Sequence, residues 1–327
     1  MALLGKNNTI TDVPGISVGQ SEDERSKTGV TVILPETRAV CAADVRGGGP
    51  GTRETDALAA HTLVDAVDAV VLSGGSSYGL AAVDGVAAVL GARGQGFGLI
   101  DRPGVPKSPV VPGAILYDLA NGGDKDWGEE PPYRELGKAA LAAVSREVAL
   151  GAAGAGYGAL AGSRPGGTGS ASLVSDDGFT VGAIVCVNAF GSVTMPGTDV
   201  FWAWPWEMGG EFGGARPPAD WSAAPEDWGA AKINPGAREN TTIACIATDA
   251  ALTPAQAQRL AIMAQDGFAR AIRPVHTPFD GDVVFALSTG QRLLGDMPEL
   301  TLARLGSLAA DTLARAVARG VYEAGKA

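Results

Sequence analysis

Short apolar runs alternate with segments of helical spacing along this chain of 327 residues. Short runs of apolar and β-branched residues between turn residues are typical of buried strands. The clearest of these runs cover residues 30–34, 70–72, 181–187 and 283–287. We therefore predict a strand at each of these four places.

Three other segments carry apolar residues at the spacing of one helical face: 137–150, 253–272 and 301–321. The second segment opens with Thr253, Pro254 and Gln256. This pattern predicts an N-cap, a proline in the first turn and a capping-box glutamine. Helices interspersed with strands and joined by Gly-rich turns predict a layered α/β fold. Periodicity alone does not determine the strand order.

Charge and composition narrow the possible functions. The net charge of −11 leaves no basic stripe that would bind phosphates, so we exclude a nucleic-acid partner. The acidic balance is typical of a soluble surface and would also attract cationic amines, and both interpretations stay open. The N-terminus lacks the apolar core of a signal peptide, and no apolar run is long enough to span a membrane. We expect a cytoplasmic protein without a membrane partner.

The cysteines and histidines do not indicate a metal site. Cys41, Cys186 and Cys245 share no ligand spacing and lie in or beside apolar runs, which is typical of buried thiols in a reducing compartment. The two histidines are too few for a zinc site. The turn 73–79 lacks the Lys-Ser/Thr ending of a phosphate-binding loop, so we interpret its glycines as packing residues. We expect neither a metal nor a cofactor.

The most informative chemistry lies where the polar residues 238–242 meet the apolar run 243–248. A cut between Asn240 and Thr241 would place the Thr241 hydroxyl on the same residue as a free α-amine. Threonine with its own N-terminal amine is a self-contained nucleophile and base. The pKa of such an amine is about 7.7–8.0, so much of it is unprotonated near neutrality. A polar loop that enters a strand gives the same pattern, so the junction alone leaves both interpretations open.

Seven segments, taken together and in this order, extend the picture: residues 11–19, 44–51, 72–80, 166–172, 187–191, 240–242 and 276–282. They resemble the self-processing family of L-aminopeptidase/D-esterases, β-peptidyl aminopeptidases and nylon-oligomer hydrolases. The resemblance implies a four-layer αββα sandwich, similar to that of N-terminal-nucleophile hydrolases. It further implies one hydrolase domain over residues 1–327, which is cut into fragments 1–240 and 241–327, and a tetramer of such αβ units.

Asp280 and Asp282 form a second candidate group around Gly281. Two acids at i and i+2 of an extended chain point the same way, and close like charges raise one of the two pKa values. The same residues are also typical of a turn, which is the alternative interpretation. In the nylon-oligomer hydrolases an acid pair follows the nucleophilic threonine at this separation. That resemblance favours a catalytic pair that orients and tunes the Thr241 amine.

The resemblance also assigns Asn188 as an oxyanion donor and Tyr117 as an active-site tyrosine. The alternatives are an asparagine that caps the end of a strand and a tyrosine that belongs to the core. One departure stands out, because the family commonly carries a lysine where this chain has Ser163 or Arg164. Arginine does not accept a proton and serine carries no charge, so neither replaces a lysine.

The nucleophilic threonine and the two aspartates place the chain nearest the nylon-type members of the family. The implied activity is hydrolysis of small peptides, β-peptides, amino-acid amides or 6-aminohexanoate oligomers. Two alternatives stay open. One is a threonine-nucleophile acyltransferase similar to ornithine acetyltransferases, and the other is an inactive, unprocessed binding protein of the same fold.

Overall fold

The computed structural model describes residues 2–100, 102–222, 224, 226–232 and 240–326. In these ranges the α-helices are α1 (Ala81–Ala92), α2 (Tyr133–Ala142), α3 (Pro254–Ala271) and α4 (Pro298–Ala324). The strands are β1 (Leu3–Leu4), β2 (Ile16–Asp23), β3 (Thr28–Pro35), β4 (Val40–Val45), β5 (Thr52–Arg53), β6 (Val70–Ser73), β7 (Gly113–Ile115), β8 (Leu160–Ala161), β9 (Arg164–Pro165), β10 (Gly167–Val174), β11 (Thr180–Asn188), β12 (Thr241–Ala250) and β13 (Val283–Arg292). All four predicted strands are confirmed, as parts of β3, β6, β11 and β13.

Two sheets stack face to face between two layers of helices. The first sheet has the strand order β1-β10-β11-β12-β13-β4, and the second has the order β2-β3-β6-β7-β5. Helices α3 and α4 cover the outer face of the first sheet, and α1 and α2 cover the second. A third apolar cluster fills the space between the sheets. This αββα sandwich is the predicted architecture.

The inner strands of the first sheet are apolar on both faces because each face is covered. Ile243 and Cys245 of β12 face the second sheet, whereas Ala244 and Ile246 face helices α3 and α4. By this alternation Thr241, the first residue of β12, lies on the face that looks toward the second sheet. Strand β13 runs parallel to β12, so the two strands begin at the same edge of the sheet. Residues that precede both strands therefore meet at that edge.

The predicted helix at 253–272 is confirmed with its capping box, since the Thr253 side chain accepts the Gln256 N–H at its N-terminus. Helix α4 extends beyond the predicted 301–321 at both ends. The predicted bounds 137–150 were wrong, because α2 ends at Ala142. Beyond it, Ser145 exchanges two backbone hydrogen bonds of 2.9 Å with Val18 of β2. Pairing with a distant strand thus overrides the local helical pattern.

The glycines of the turn 73–79 serve close packing, as predicted. Gly75 has a φ of 85°, and a Cβ built there would lie 2.0 Å from the Tyr133 ring. The Gly75 N–H donates to the buried Asp118 carboxylate at 2.8 Å. Any larger residue at position 75 would push the turn away from α2.

Residues 201–235 carry a single 3-10 turn, Trp204–Trp206, in their described part, and residues 233–235 lie outside the described ranges. The three cysteines are buried and unpaired, and burial raises the pKa of each thiol. Across the described part of the chain, no helix combines the length and the hydrophobicity needed to cross a membrane.

Candidate active site

Thr241 stands at the start of an inner strand and is 2% exposed. In the antiparallel pairing of β11 with β12, its cross-strand partner is Asn188. The Thr241 hydroxyl donates a hydrogen bond to the backbone carbonyl oxygen of Asn240. The nucleophile predicted from the sequence is thus turned toward the carbonyl group at the predicted cut. Arg238 and Glu239, which open this polar stretch, lie outside the described residues.

The space beside the Thr241 hydroxyl exists because residue 281 is glycine. A Cβ at Gly281 would lie 2.7 Å from Thr241 Oγ1 and 2.8 Å from the carbonyl oxygen of Gly49. Real side chains essentially never approach so closely. The sequence analysis identified the two acids but not the role of the glycine between them. The position of that glycine in Asp-Gly-Asp was a visible signal.

Asp282 joins the start of β12 to the loop that precedes β13. Its Oδ1 accepts the Thr242 backbone N–H at 2.9 Å. Its Oδ2 accepts the backbone N–H of His276 at 3.1 Å and lies 2.8 Å from His276 Nδ1. The carboxylate is buried, so these donors replace its lost hydration. The role of His276 was also missed in the sequence, because nothing local indicates its contact with Asp282.

Asp280 is held by donors from two segments. Its Oδ1 accepts the Phe190 N–H at 3.1 Å, and its Oδ2 accepts the Thr277 N–H at 3.1 Å and the Thr277 hydroxyl at 2.6 Å. Burial is the main cause that raises the pKa of Asp280 to about 6. The negative charge of Asp282 acts in the same direction, and the bonds from Thr277 and Phe190 oppose it. The two acids therefore interact, as their spacing predicted.

The structure brings both acids to the same sheet edge as Thr241 without a direct bond to its hydroxyl. Among the described residues, that hydroxyl is bonded to the Asn240 carbonyl, and the carboxylates bind backbone and side-chain donors around it. The acid pair thus connects the segments on either side of Thr241.

The Gly-rich residues 46–49 close one wall of the site. The N–H groups of Arg46 and Gly47 donate to the Asp282 carbonyl at 3.0 and 3.3 Å, and the Gly49 N–H donates to the Asp280 carbonyl at 2.7 Å. A Cβ at Gly47 would lie 2.3 Å from the Asp282 nitrogen. The glycines of the segment 44–51 therefore allow two backbones to touch beside the acid pair.

Asn188 has a fixed orientation. Its Nδ2 donates to the Tyr117 carbonyl at 2.7 Å, and its Oδ1 accepts the Leu160 N–H at 2.9 Å and the Asn121 Nδ2 at 3.1 Å. Tyr117 contacts the site through this backbone carbonyl, and its side chain is half-buried. Asn121 is a further polar neighbour that the sequence did not indicate.

The residues that stand in place of a lysine do not bring a charge to the acid pair. Arg164 forms a surface ion pair of 2.5 Å with Asp199, and the two side chains are 38% and 88% exposed. Ser163 is exposed, and its backbone N–H donates to the carbonyl of Ala230 at 2.8 Å. Within the described ranges, no three His, Cys, Asp or Glu side chains are grouped as metal ligands.

Sequence similarity relates the chain to a known protein family and to named proteins. The model of peptidase family S58 matches residues 8–327. An uncharacterized aminopeptidase of Mycobacterium tuberculosis is 45% identical over 334 residues, which cover 97% of this chain and 94% of that protein. A 6-aminohexanoate-oligomer endohydrolase of an Agromyces species is 31% identical over 330 residues, which cover 96% of this chain and 85% of that protein.

A solved structure confirms the fold. The L-aminopeptidase D-Ala-esterase/amidase from Ochrobactrum anthropi, described as a variant of the Ntn hydrolase fold, superposes with a TM-score of 0.68. The match covers 98% of this chain and 87% of that chain, at 22% sequence identity. The predicted similarity to N-terminal-nucleophile hydrolases is therefore correct at the level of the fold.

Proposed function

The chain belongs to peptidase family S58 and is an amide-bond hydrolase, and we propose that Thr241 is the nucleophile with which it first cuts itself and then hydrolyses small amides. The family predicted from the sequence is thus confirmed. The observation that carries the proposal is the hydrogen bond from the Thr241 hydroxyl to the Asn240 carbonyl. It keeps the attacking oxygen beside the group that is to be cleaved, as intramolecular attack requires.

Self-cleavage proceeds in two steps. Thr241 Oγ1 bonds to the Asn240 carbonyl carbon, the bond from that carbon to the Thr241 nitrogen breaks, and the hydroxyl proton passes to the released amine. Water then adds to the resulting ester, which restores the hydroxyl and leaves a carboxylate on Asn240. One water is consumed, and the products are the fragments 1–240 and 241–327. The new amine at Thr241 is the base that the sequence predicted.

The same atoms then act on an external amide. The amine accepts the proton of Oγ1 as the hydroxyl attacks the substrate carbonyl, and it returns that proton to the leaving amine. Water, activated by the same amine, releases the acyl group. Since the α-amine must be partly unprotonated, activity should rise as the pH approaches the pKa of that amine, which is about 7.7–8.0 for an ordinary α-amine.

We assign supporting roles from position. Asp282 holds the Thr242 N–H and thereby orients the residue beside the new amine. Asp280, whose pKa is raised, connects the loop before β13 to Phe190, which follows the end of β11. Asn188 is the proposed oxyanion donor, because it is the cross-strand partner of Thr241 and its amide is held in one orientation. Tyr117 supports Asn188 through its carbonyl.

The proposed substrates are small peptides, β-peptides, amino-acid amides and 6-aminohexanoate oligomers. The names of the relatives support this class, since they include an aminopeptidase and a 6-aminohexanoate-oligomer endohydrolase. The acidic surface also favours substrates that carry a free cationic amine.

Intact mass spectrometry of purified protein tests the nucleophile and the cut together. Wild type should give the masses of 1–240 and 241–327, and Thr241→Ala should give one full-length mass and no amide hydrolysis. Thr242→Ala is the matched control, because its buried hydroxyl has no hydrogen-bond partner among the described residues and takes no part in the scheme. Normal splitting of Thr241→Ala, or an uncut wild type, would overturn the proposal.

A further inference from the structure

The described residues immediately upstream of 233–239 are bound to the body of the protein. We call residues 228–232 the upstream anchor. The carbonyl of Ala230 accepts the Ser163 N–H at 2.8 Å, and the Lys232 N–H donates to the Phe190 carbonyl at 2.9 Å. The Trp228 ring packs edge-to-face on the Phe190 ring, with 6.0 Å between the ring centres. The anchor is therefore held by backbone bonds on two neighbouring segments and by one aromatic contact.

The surface beneath the anchor is shaped to receive it. Gly162 has a φ of 58°, and a Cβ there would lie 2.1 Å from the Ala230 carbonyl oxygen and 3.4 Å from the Ala231 Cα. Ala231 is buried against this surface. Only the absence of a side chain at position 162 lets the anchor backbone lie so close.

The anchor is attached beside the candidate nucleophile. Phe190, which binds both Trp228 and Lys232, lies two residues after Asn188, the cross-strand partner of Thr241. The Phe190 N–H in turn donates to Asp280. The chain is thus fixed at Lys232 and again at Asn240 and Thr241, and both points lie at the end of β11.

We propose that the upstream anchor positions the scissile carbonyl for self-cleavage and has no part in later turnover, an inference that rests on the function proposed above. Fixing the chain on both sides of 233–239 limits the positions that the Asn240 carbonyl can take relative to Thr241 Oγ1. An intramolecular attack gains most from such restriction. Once the bond is cut, the anchor is no longer covalently joined to Thr241 and cannot position an external substrate in this way.

Trp228 is the residue with which to separate the two reactions. The residue is 51% exposed, so removal of its side chain should not unfold the protein. Trp228→Ala removes the contact with Phe190, and Trp228→Phe keeps an aromatic ring there. Trp221→Ala is the matched control, since Trp221 belongs to the same stretch of chain and packs on Trp202 instead.

The experiment follows cleavage of freshly synthesised chains in a pulse-chase cell-free translation, read on denaturing gels. The same variants, after splitting is complete, are assayed with the p-nitroanilide of 6-aminohexanoic acid. Trp228→Ala should split roughly tenfold more slowly, the scale expected when one aromatic pair contact is lost from a transition state. Trp228→Phe and Trp221→Ala should split close to the wild-type rate, and all completed enzymes should share one kcat and KM per cut chain.

Two outcomes would overturn the inference. One is that Trp228→Ala splits at the wild-type rate. The other is that its splitting and its turnover fall by the same factor together with the melting temperature, as a purely structural role requires. A wild-type chain that never splits is a different result, because it overturns the proposed function on which the inference rests.

Discussion

The carboxylate of Asp282 accepts the backbone N–H of Thr242 at 2.9 Å, so a buried acid is tied to the residue directly after the candidate nucleophile. The other oxygen of Asp282 binds His276. One side chain therefore connects the start of β12 to the loop before β13, and its charge lies one residue from the amine that self-cleavage would create.

Neutralising Asp282 should harm catalysis more than folding. Asp282→Asn keeps the shape of the side chain but removes the charge beside the new amine. We expect self-cleavage, turnover or both to slow by about 10²–10⁴-fold, the range for lost acid–base assistance. The check is the melting temperature measured beside the rate of amide hydrolysis, with the surface substitution Asp124→Asn as control. A near-wild-type rate together with a lower melting temperature would show that Asp282 is only a turn residue.

Asp280 should make stability fall as the pH rises from about 4 to 6. Its pKa is about 6 in the folded chain against 3.8 for the ordinary carboxyl, so the folded state keeps a proton that the unfolded state has lost. The full penalty, reached above pH 6, is about 3 kcal/mol in the free energy of unfolding. Urea unfolding of the uncut Thr241→Ala chain, with and without Asp280→Asn, measures it as a difference between variants.

The pH dependence is what identifies this effect. Asp280→Asn also alters the hydrogen bonds with Thr277, and this changes the free energy of unfolding by an amount that does not vary with pH. The contribution that ionisation of the carboxyl group makes to the free energy of unfolding does vary with pH. The advantage of the aspartate chain over the asparagine chain should therefore shrink between pH 4 and pH 7. A constant difference across that window would contradict a raised pKa at Asp280.

Gly281→Ala should block the nucleophile without unfolding the chain. The added Cβ would lie 2.7 Å from Thr241 Oγ1, and displacing that oxygen by a fraction of an ångström or more should slow cleavage by about 10²-fold. Gly49→Ala, in the facing turn, is the control because its Cβ would meet its nearest atom at 3.7 Å. Fragment yield on denaturing gels is the readout, and equal yields from both variants would refute the steric account.

A buried ion pair should hold the two fragments together after the cut. Glu211, in fragment 1–240, accepts two bonds of 2.6 and 2.9 Å from Arg315, in fragment 241–327, whose side chain is 1% exposed. Glu211→Gln leaves that arginine charge buried without its partner, which typically costs about 3–5 kcal/mol. The urea midpoint of the cut protein should fall well below that of the surface control Glu135→Gln. Similar midpoints for the two variants would mean that other contacts hold the fragments.

The local pattern of residues was sufficient to predict most of the main strands and helices and to identify Thr241 as the candidate nucleophile. Inner strands such as β11 and β13 read as apolar runs because both of their faces are covered, and helix α3 was visible from its cap at Thr253. Thr241 was visible because a polar stretch meets a buried strand there. The tetramer of αβ units stays a prediction, as do the catalytic roles of the site residues.

Only the tertiary structure decided which residues surround Thr241. Asn188 lies opposite it through strand register, and Gly281 leaves the space beside its hydroxyl. A separate long-range pairing, of Ser145 with Val18, ended α2 at Ala142 against its local pattern. A helix cap or a buried strand is determined by residues a few positions apart, and such local patterns are visible in the sequence. Contacts across forty or more residues depend on how strands align in a sheet, and that alignment is determined by the burial of whole faces.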